Sequence, residues 1–197
     1  MSILAKLAVF ISGGGTNLQA LIDASKEERL AARIVLVVSS RGDVFGLERA
    51  RREGIATFVH KAKNYATPEE AAQVLLGLLE KYEIEYIALA GYLKLIPVEI
   101  IRKYKGRIVN IHPALLPKYG GKGMYGHFVH EAVLASGDRE SGATVHLVDE
   151  IYDNGRILLQ KKVPVLPDDN PDSLAERVLK VEHEIYAKAL DNLIKGK

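Results

Sequence analysis

Residues 107 to 119 read "RIVNIHPALLPKY". Asn110 and His112 stand two apart at the end of a β-rich run, so their side chains face the same way. Pro113 follows at once and turns the chain off the strand. An amide donor and a titratable imidazole placed together suit chemistry in which a carbonyl oxygen gains negative charge. The pair alone also fits an ordinary strand end.

A second segment, "VHLVDEIYDNGRILLQ" (145 to 160), carries Asp149, Glu150 and Asp153 between two β-rich runs, with Asn154-Gly155 as the turn signal. A carboxylate facing His112 would raise its pKa and favour imidazolium. The sequence leaves open which of the three acids does so, and solvation alone explains an acidic hairpin loop.

A third segment, "AVFISGGGTNLQALIDA" (8 to 24), runs from an apolar strand through three glycines into an amphipathic segment. This is the phosphate position of a doubly wound fold, where backbone N–H groups and a helix N-terminus meet an anion. A P-loop needs Gly-Lys-Ser/Thr, which is missing. A dinucleotide fingerprint needs glycine where Leu18 stands, although Arg41 after the second strand would suit an NADP phosphate. A lone phosphate monoester on Gly14, Gly15, Thr16 and Asn17 is the third filler, with the Thr16 hydroxyl and Asn17 amide as added donors. A tight turn with an N-cap at Thr16 is the structural alternative.

The elements that position these segments alternate. Strands are expected at Leu7 to Ile11, Arg33 to Val38, Ala56 to Val59, Tyr86 to Ala90 and Arg107 to Ile111. A pair follows at Thr144 to Val148 and Arg156 to Val163. Helices are expected at Thr16 to Ser25, Phe45 to Glu53, Thr67-Pro68 to Tyr82, Pro97 to Tyr104, His127 to Ala135 and Ser173 to Leu193. A glycine-rich loop spans Lys118 to Gly126. The order predicts an α/β fold: a mostly parallel twisted sheet with helices on both faces and a Rossmann-like N-terminal half. The 197 residues are expected to form a single domain. Residues 1 to 100 would be its phosphate-binding half and 101 to 197 its less regular half.

The formal net charge is +2, and no basic run interleaved with aromatics suggests nucleic acid. Apolar stretches are strand-length, so no membrane span is expected, and Met1 to Lys6 does not read as a signal peptide. The absence of cysteine excludes a thiol nucleophile and fits a cytoplasmic chain. His60, His127, His130, His146 and His183 show no ligand spacing, so no metal is expected. His146 is expected to pack under the site, facing the core of its strand.

The three segments, in this order, resemble the phosphoribosylglycinamide formyltransferase family, the folate-dependent enzymes of purine synthesis. The likeness runs through "ISGGGTNLQALIDA", "GLERARREGIAT", "LAGYLKLIP", "NIHPALLPKY", "GATVHLVDEIYDNGRILLQ" and "VEHEIY". The Asn-x-His-Pro motif with a downstream acid is shared by 10-formyltetrahydrofolate enzymes at large, and "SGGGTN" narrows the choice to an acceptor bearing a phosphate. The resemblance implies a formyltransferase fold and a catalytic set of Asn110, His112 and Asp153. It implies that Gly14, Gly15, Thr16, Asn17, Pro113 and Glu182 bind glycinamide ribonucleotide. It implies a folate pocket from Tyr92, Leu93, Lys94, Leu95, Ile96, Asn110 and the backbone of Val148, Asp149 and Glu150. The co-substrate would be 10-formyltetrahydrofolate, with no metal, in a monomer or homodimer. The segment "GGKGMYGHFVH" is longer than the family's more familiar loop, and an arginine often found near the folate tail aligns with Pro68. A 10-formyltetrahydrofolate hydrolase is the chemical rival. Its family members carry an extra N-terminal domain, which a first strand at Leu7 disfavours.

Overall fold

The computed structural model describes residues 4–196; part of the segment read against a signal peptide, residues 1–3, lies outside them. The strands are β1 (Ala5–Ile11), β2 (Ala32–Ser39), β3 (Ala56–Val59), β4 (Tyr86–Leu89), β5 (Ile108–His112), β6 (Glu140–Leu147) and β7 (Ile157–Pro164). The helices are α1 (Thr16–Lys26), α2 (Phe45–Arg52), α3 (Pro68–Lys81), α4 (Val98–Lys103), α5 (His127–Ser136) and α6 (Pro171–Ile194).

All seven strands join one sheet in the order β3-β2-β1-β4-β5-β6-β7. β1 to β5 pair in parallel, and β6 runs antiparallel to both its neighbours. Strand alternation divides the core into two layers. Leu7, Val9 and Ile11 of β1 pack with Leu18, Leu21, Leu47 and Leu190 from α1, α2 and α6. Ala8 and Phe10 pack on the opposite face with Leu75, Leu79 and Ile100 from α3 and α4. The sheet is therefore covered by helices on both faces, as the solid apolar runs require.

β1 and β4 are adjacent, while the chain leaves them toward opposite edges. This is a topological switch point, and the crevice outside the carboxyl ends of such strands is where open α/β sheets bind ligands.

Several boundaries differ from the sequence reading. The Thr67 hydroxyl accepts from the Glu70 N–H with Pro68 in the first turn, as expected of that helix start. Gly15, not Thr16, is the N-cap of α1, and no side chain caps it. Pro97 caps α4 from outside the helix. α6 starts at Pro171, where Asn170 and Ser173 form a capping box. β6 begins at Glu140, four residues before its expected start at Thr144. Pairing with β7 from Glu140 onward accounts for the extra length.

Candidate active site

A cavity of about 1360 Å³ opens at the carboxyl ends of β1, β4 and β5. Every site residue expected from the sequence lines it.

The first wall is the glycine loop. The left-handed conformation of Gly15 (φ 72°) and its approach to Gly46 explain one glycine: a Cβ there would stand 2.7 Å from Gly46 Cα. A Cβ on Gly13 or Gly14 would meet nothing within 4 Å, so those two leave open space at the cavity. Arg49 Nε donates to Gly14 O at 2.9 Å and braces the loop from α2. The Asn17 amide is not free to add both its N–H groups to a phosphate. Its Nδ2 donates to Glu182 Oε2 at 2.8 Å, joining α1 to α6. Burial pushes the Glu182 carboxyl above its ordinary value, with the Asn17 bond acting the other way.

The second wall follows β4. Ser12 Oγ accepts from the Leu93 N–H at 2.8 Å and lies 2.7 Å from Ser40 Oγ, which ties this wall to the end of β1. Tyr92 packs edge-on to Phe10 with centroids 5.3 Å apart, and burial raises its phenol to about 12. Ile96 is buried, while Leu93, Lys94 and Leu95 are exposed.

β5 delivers the third group. Asn110 and His112 lie within the strand, opposite His146 and Thr144 of β6. Asn110 Nδ2 donates to His146 Nε2 at 3.1 Å. Nε2 must therefore accept, and Nδ1–H donates to Leu147 O at 2.9 Å. One Asn110 N–H remains for the cavity. His146 is buried as expected, but it belongs to the site and does not merely pack beneath it. Its alternation in the run Val145-His146-Leu147 was visible; its pairing register with Asn110 was not.

His112 Nε2 donates to Tyr119 O at 2.7 Å, leaving Nδ1 facing Asp153 Oδ2 at 3.7 Å. That gap is too long for a hydrogen bond and short enough for the carboxylate to attract an imidazolium. The expected preference for imidazolium is overturned. Burial holds the imidazole below its ordinary value and His146 adds to this, outweighing Asp153 and the Tyr119 carbonyl, which act to raise it.

The three acids take different roles in the geometry. Asp149 accepts from Ile151 N at 2.8 Å and Asn154 Nδ2 at 3.1 Å, so its carboxylate folds its own loop. Glu150 pairs on the surface with Arg102. Asp153 turns inward: Oδ2 accepts from Gly121 N at 2.9 Å and Oδ1 lies 3.5 Å from His146 Nε2. Burial pushes its carboxyl up, but His146, the Gly121 N–H and His112 together take it below its ordinary value. Asp153 holds φ at +51°, a left-handed conformation uncommon for a residue with a side chain. Gly121 belongs to the glycine-rich loop, and sequence reading gave it no role. Val148 N donates to Ile108 O at 2.9 Å, so that N–H is spent on the sheet and unavailable to a folate ring.

Among the described residues no group of three or more His, Cys, Asp or Glu is placed to hold a metal ion, and no helix is long and apolar enough to cross a membrane. Arg41 pairs with Asp43 on the surface and does not line the cavity.

A mostly parallel sheet with an amide, an imidazole and a carboxylate convergent at its switch point is the frame of an acyl-group transfer enzyme. A family model described as formyl transferase matches residues 5–190. The chain belongs to the formyl transferase family. It is 48% identical over 189 residues to the chloroplastic phosphoribosylglycinamide formyltransferase of Vigna unguiculata, covering 95% of this chain and 60% of that one. Against the phosphoribosylglycinamide formyltransferase of Haemophilus influenzae it is 37% identical over 194 residues, covering 98% and 89%. The crystal structure of glycinamide ribonucleotide transformylase 1 from Symbiobacterium toebii superposes with a TM-score of 0.93 at 36% identity, covering 100% of this chain and 90% of that one.

Proposed function

We propose that the protein transfers the formyl group of 10-formyltetrahydrofolate to the glycine amine of glycinamide ribonucleotide, a step of purine biosynthesis. One observation carries this reading. Asn110, His112 and Asp153 converge in a cavity that also holds an open glycine loop at a helix N-terminus.

The acceptor phosphate lies on the glycine loop, where Gly13 and Gly14 leave space. Glu182 takes the ribose hydroxyls as acceptor. The folate ring lies between the wall of residues 92–96 and that of residues 148–150. The neutral amine attacks the formyl carbon, and a C–N bond forms as the carbonyl oxygen becomes an oxyanion. The free Asn110 N–H donates to that oxygen, and so does the imidazolium form of His112, the form Asp153 favours, through the Nδ1–H it gains on protonation, because Nε2–H is committed to Tyr119. Two such donors commonly contribute roughly 3 to 4 kcal/mol each. The bond to N10 of the folate then breaks. Asp153, acting with water, carries the proton from the attacking amine to that nitrogen.

In this reading the chain is one domain, with residues 1–100 supplying the phosphate half and 101–197 the catalytic and folate half. The absence of cysteine supports a cytoplasmic setting. The test is a formyl-transfer assay with glycinamide ribonucleotide and, separately, water as acceptor. Transfer to the amine well above hydrolysis is the expected result. Hydrolysis alone would make the protein a 10-formyltetrahydrofolate hydrolase.

A further inference from the structure

Two histidines of α5 meet different surroundings. His127 is exposed, its Nδ1 3.6 Å from Asp172 and its Nε2 3.4 Å from Glu131. His130, one turn on, is 4% exposed and lines the cavity. Its Nδ1 is buried with no hydrogen-bond partner. The steps above make no use of it.

A buried polar atom without a partner destabilises a fold. Packing gives no account of it, since Leu or Met fills a similar volume without that loss. Val129 and Val133, buried on the same helix, show that the environment accepts apolar side chains. Burial pushes the His130 imidazole down to about 4, with His127 and then His112 adding to the effect. At neutral pH the ring is uncharged and offers one donor and one acceptor.

Its place in the cavity narrows what it meets. α5 packs against α6, the helix that carries Glu182, and His130 is near enough to His112 for their charges to interact. It lines the same cavity as Glu182 and His112, the two groups that the proposed function sets at the ribose and at the reacting carbon. The part of the acceptor that links its ribose to the reacting amine is the glycinamide: an amide N–H, a carbonyl and an uncharged amine. A neutral imidazole matches these groups.

We infer that His130 is a binding residue for the glycinamide segment of the acceptor, hydrogen-bonding it and setting the approach of its amine to the formyl carbon. This rests on the reading given under Proposed function.

The test compares wild type, His130→Leu and His130→Gln, measuring KM for each substrate, kcat and melting temperature. His130→Leu should raise KM for glycinamide ribonucleotide roughly tenfold or more, as loss of one or two hydrogen bonds implies. Its KM for 10-formyltetrahydrofolate should stay within about twofold, and its melting temperature should hold or rise, because the orphaned nitrogen is gone. His130→Gln should recover much of the acceptor affinity. An unchanged acceptor KM in His130→Leu, or equal losses for both substrates, would overturn the inference. If the Leu variant does not fold, His130→Met is read by the same outcomes. Wild type that neither binds nor formylates glycinamide ribonucleotide would overturn both this inference and the proposed function. A working wild type with an unaffected Leu variant would overturn this one alone.

Discussion

Asn110 of β5 and His146 of β6 stand directly opposite each other across an antiparallel ladder, and the Asn110 amide donates to the imidazole at 3.1 Å. The bond fixes which way the amide points and leaves its second N–H for the cavity that Asn110 lines. His146→Leu should leave Asn110 free to rotate. Turnover should fall about 10- to 100-fold, roughly 1.4 to 2.7 kcal/mol of transition-state stabilisation, with KM for both substrates little changed. Steady-state kinetics check this, and an unchanged kcat would remove His146 from the site.

Asn17 links the glycine loop to Glu182. Asn17→Ala removes a donor to the buried carboxylate and loosens both ends of the acceptor site. Binding of glycinamide ribonucleotide should weaken roughly tenfold or more while folate binding holds. Calorimetric titration of each ligand distinguishes this from a folding defect, which would weaken both.

Arg41 should be dispensable. It is exposed, pairs with Asp43 and stands outside the cavity. Arg41→Ala should turn over at the wild-type rate, and NADPH should not raise the melting temperature. A strong shift with NADPH would revive the dinucleotide reading of the glycines.

Acid should destabilise the protein in a defined window. His130 titrates at about 4 in the fold against about 6.5 unfolded, and burial lowers His112 too. A depressed folded pKa means that the unfolded chain binds the proton first. Stability is therefore full above about pH 6.5 and declines as pH falls toward 4. For His130 the loss is on the order of 3 kcal/mol. Chemical denaturation at several pH values should show this slope, and His130→Leu should flatten it.

The strands and the three segments were legible because each is local; the strand order that makes the switch point was not. Solid apolar runs mark the parallel strands, and the i, i+2 spacing of Asn110 and His112 already places both on one face. What escaped the sequence depends on residues far apart in it. The pairing of Asn110 with His146 is a register between strands. The grip of Gly121 on Asp153 joins two loops. The downward shift of His112 comes from burial by the whole fold, which a nearby aspartate suggested would be reversed. Asn17 had a donor to offer, and only the packing of α1 on α6 commits it to Glu182.

The central claim is that Asp153, facing His112 Nδ1 at 3.7 Å, drives formyl transfer. Formyl transfer to glycinamide ribonucleotide by Asp153→Asn, measured beside Asp149→Asn, tests it most directly. Asn at 153 keeps the shape but removes the charge that raises the His112 pKa and the base that carries the proton. Turnover should fall by two or more orders of magnitude, roughly 3 kcal/mol or more, with acceptor binding nearly unchanged and His112 titrating at lower pH by NMR. Asp149→Asn should cost far less, because that carboxylate only folds its own loop. An inactive Asp149→Asn beside an active Asp153→Asn would contradict the account.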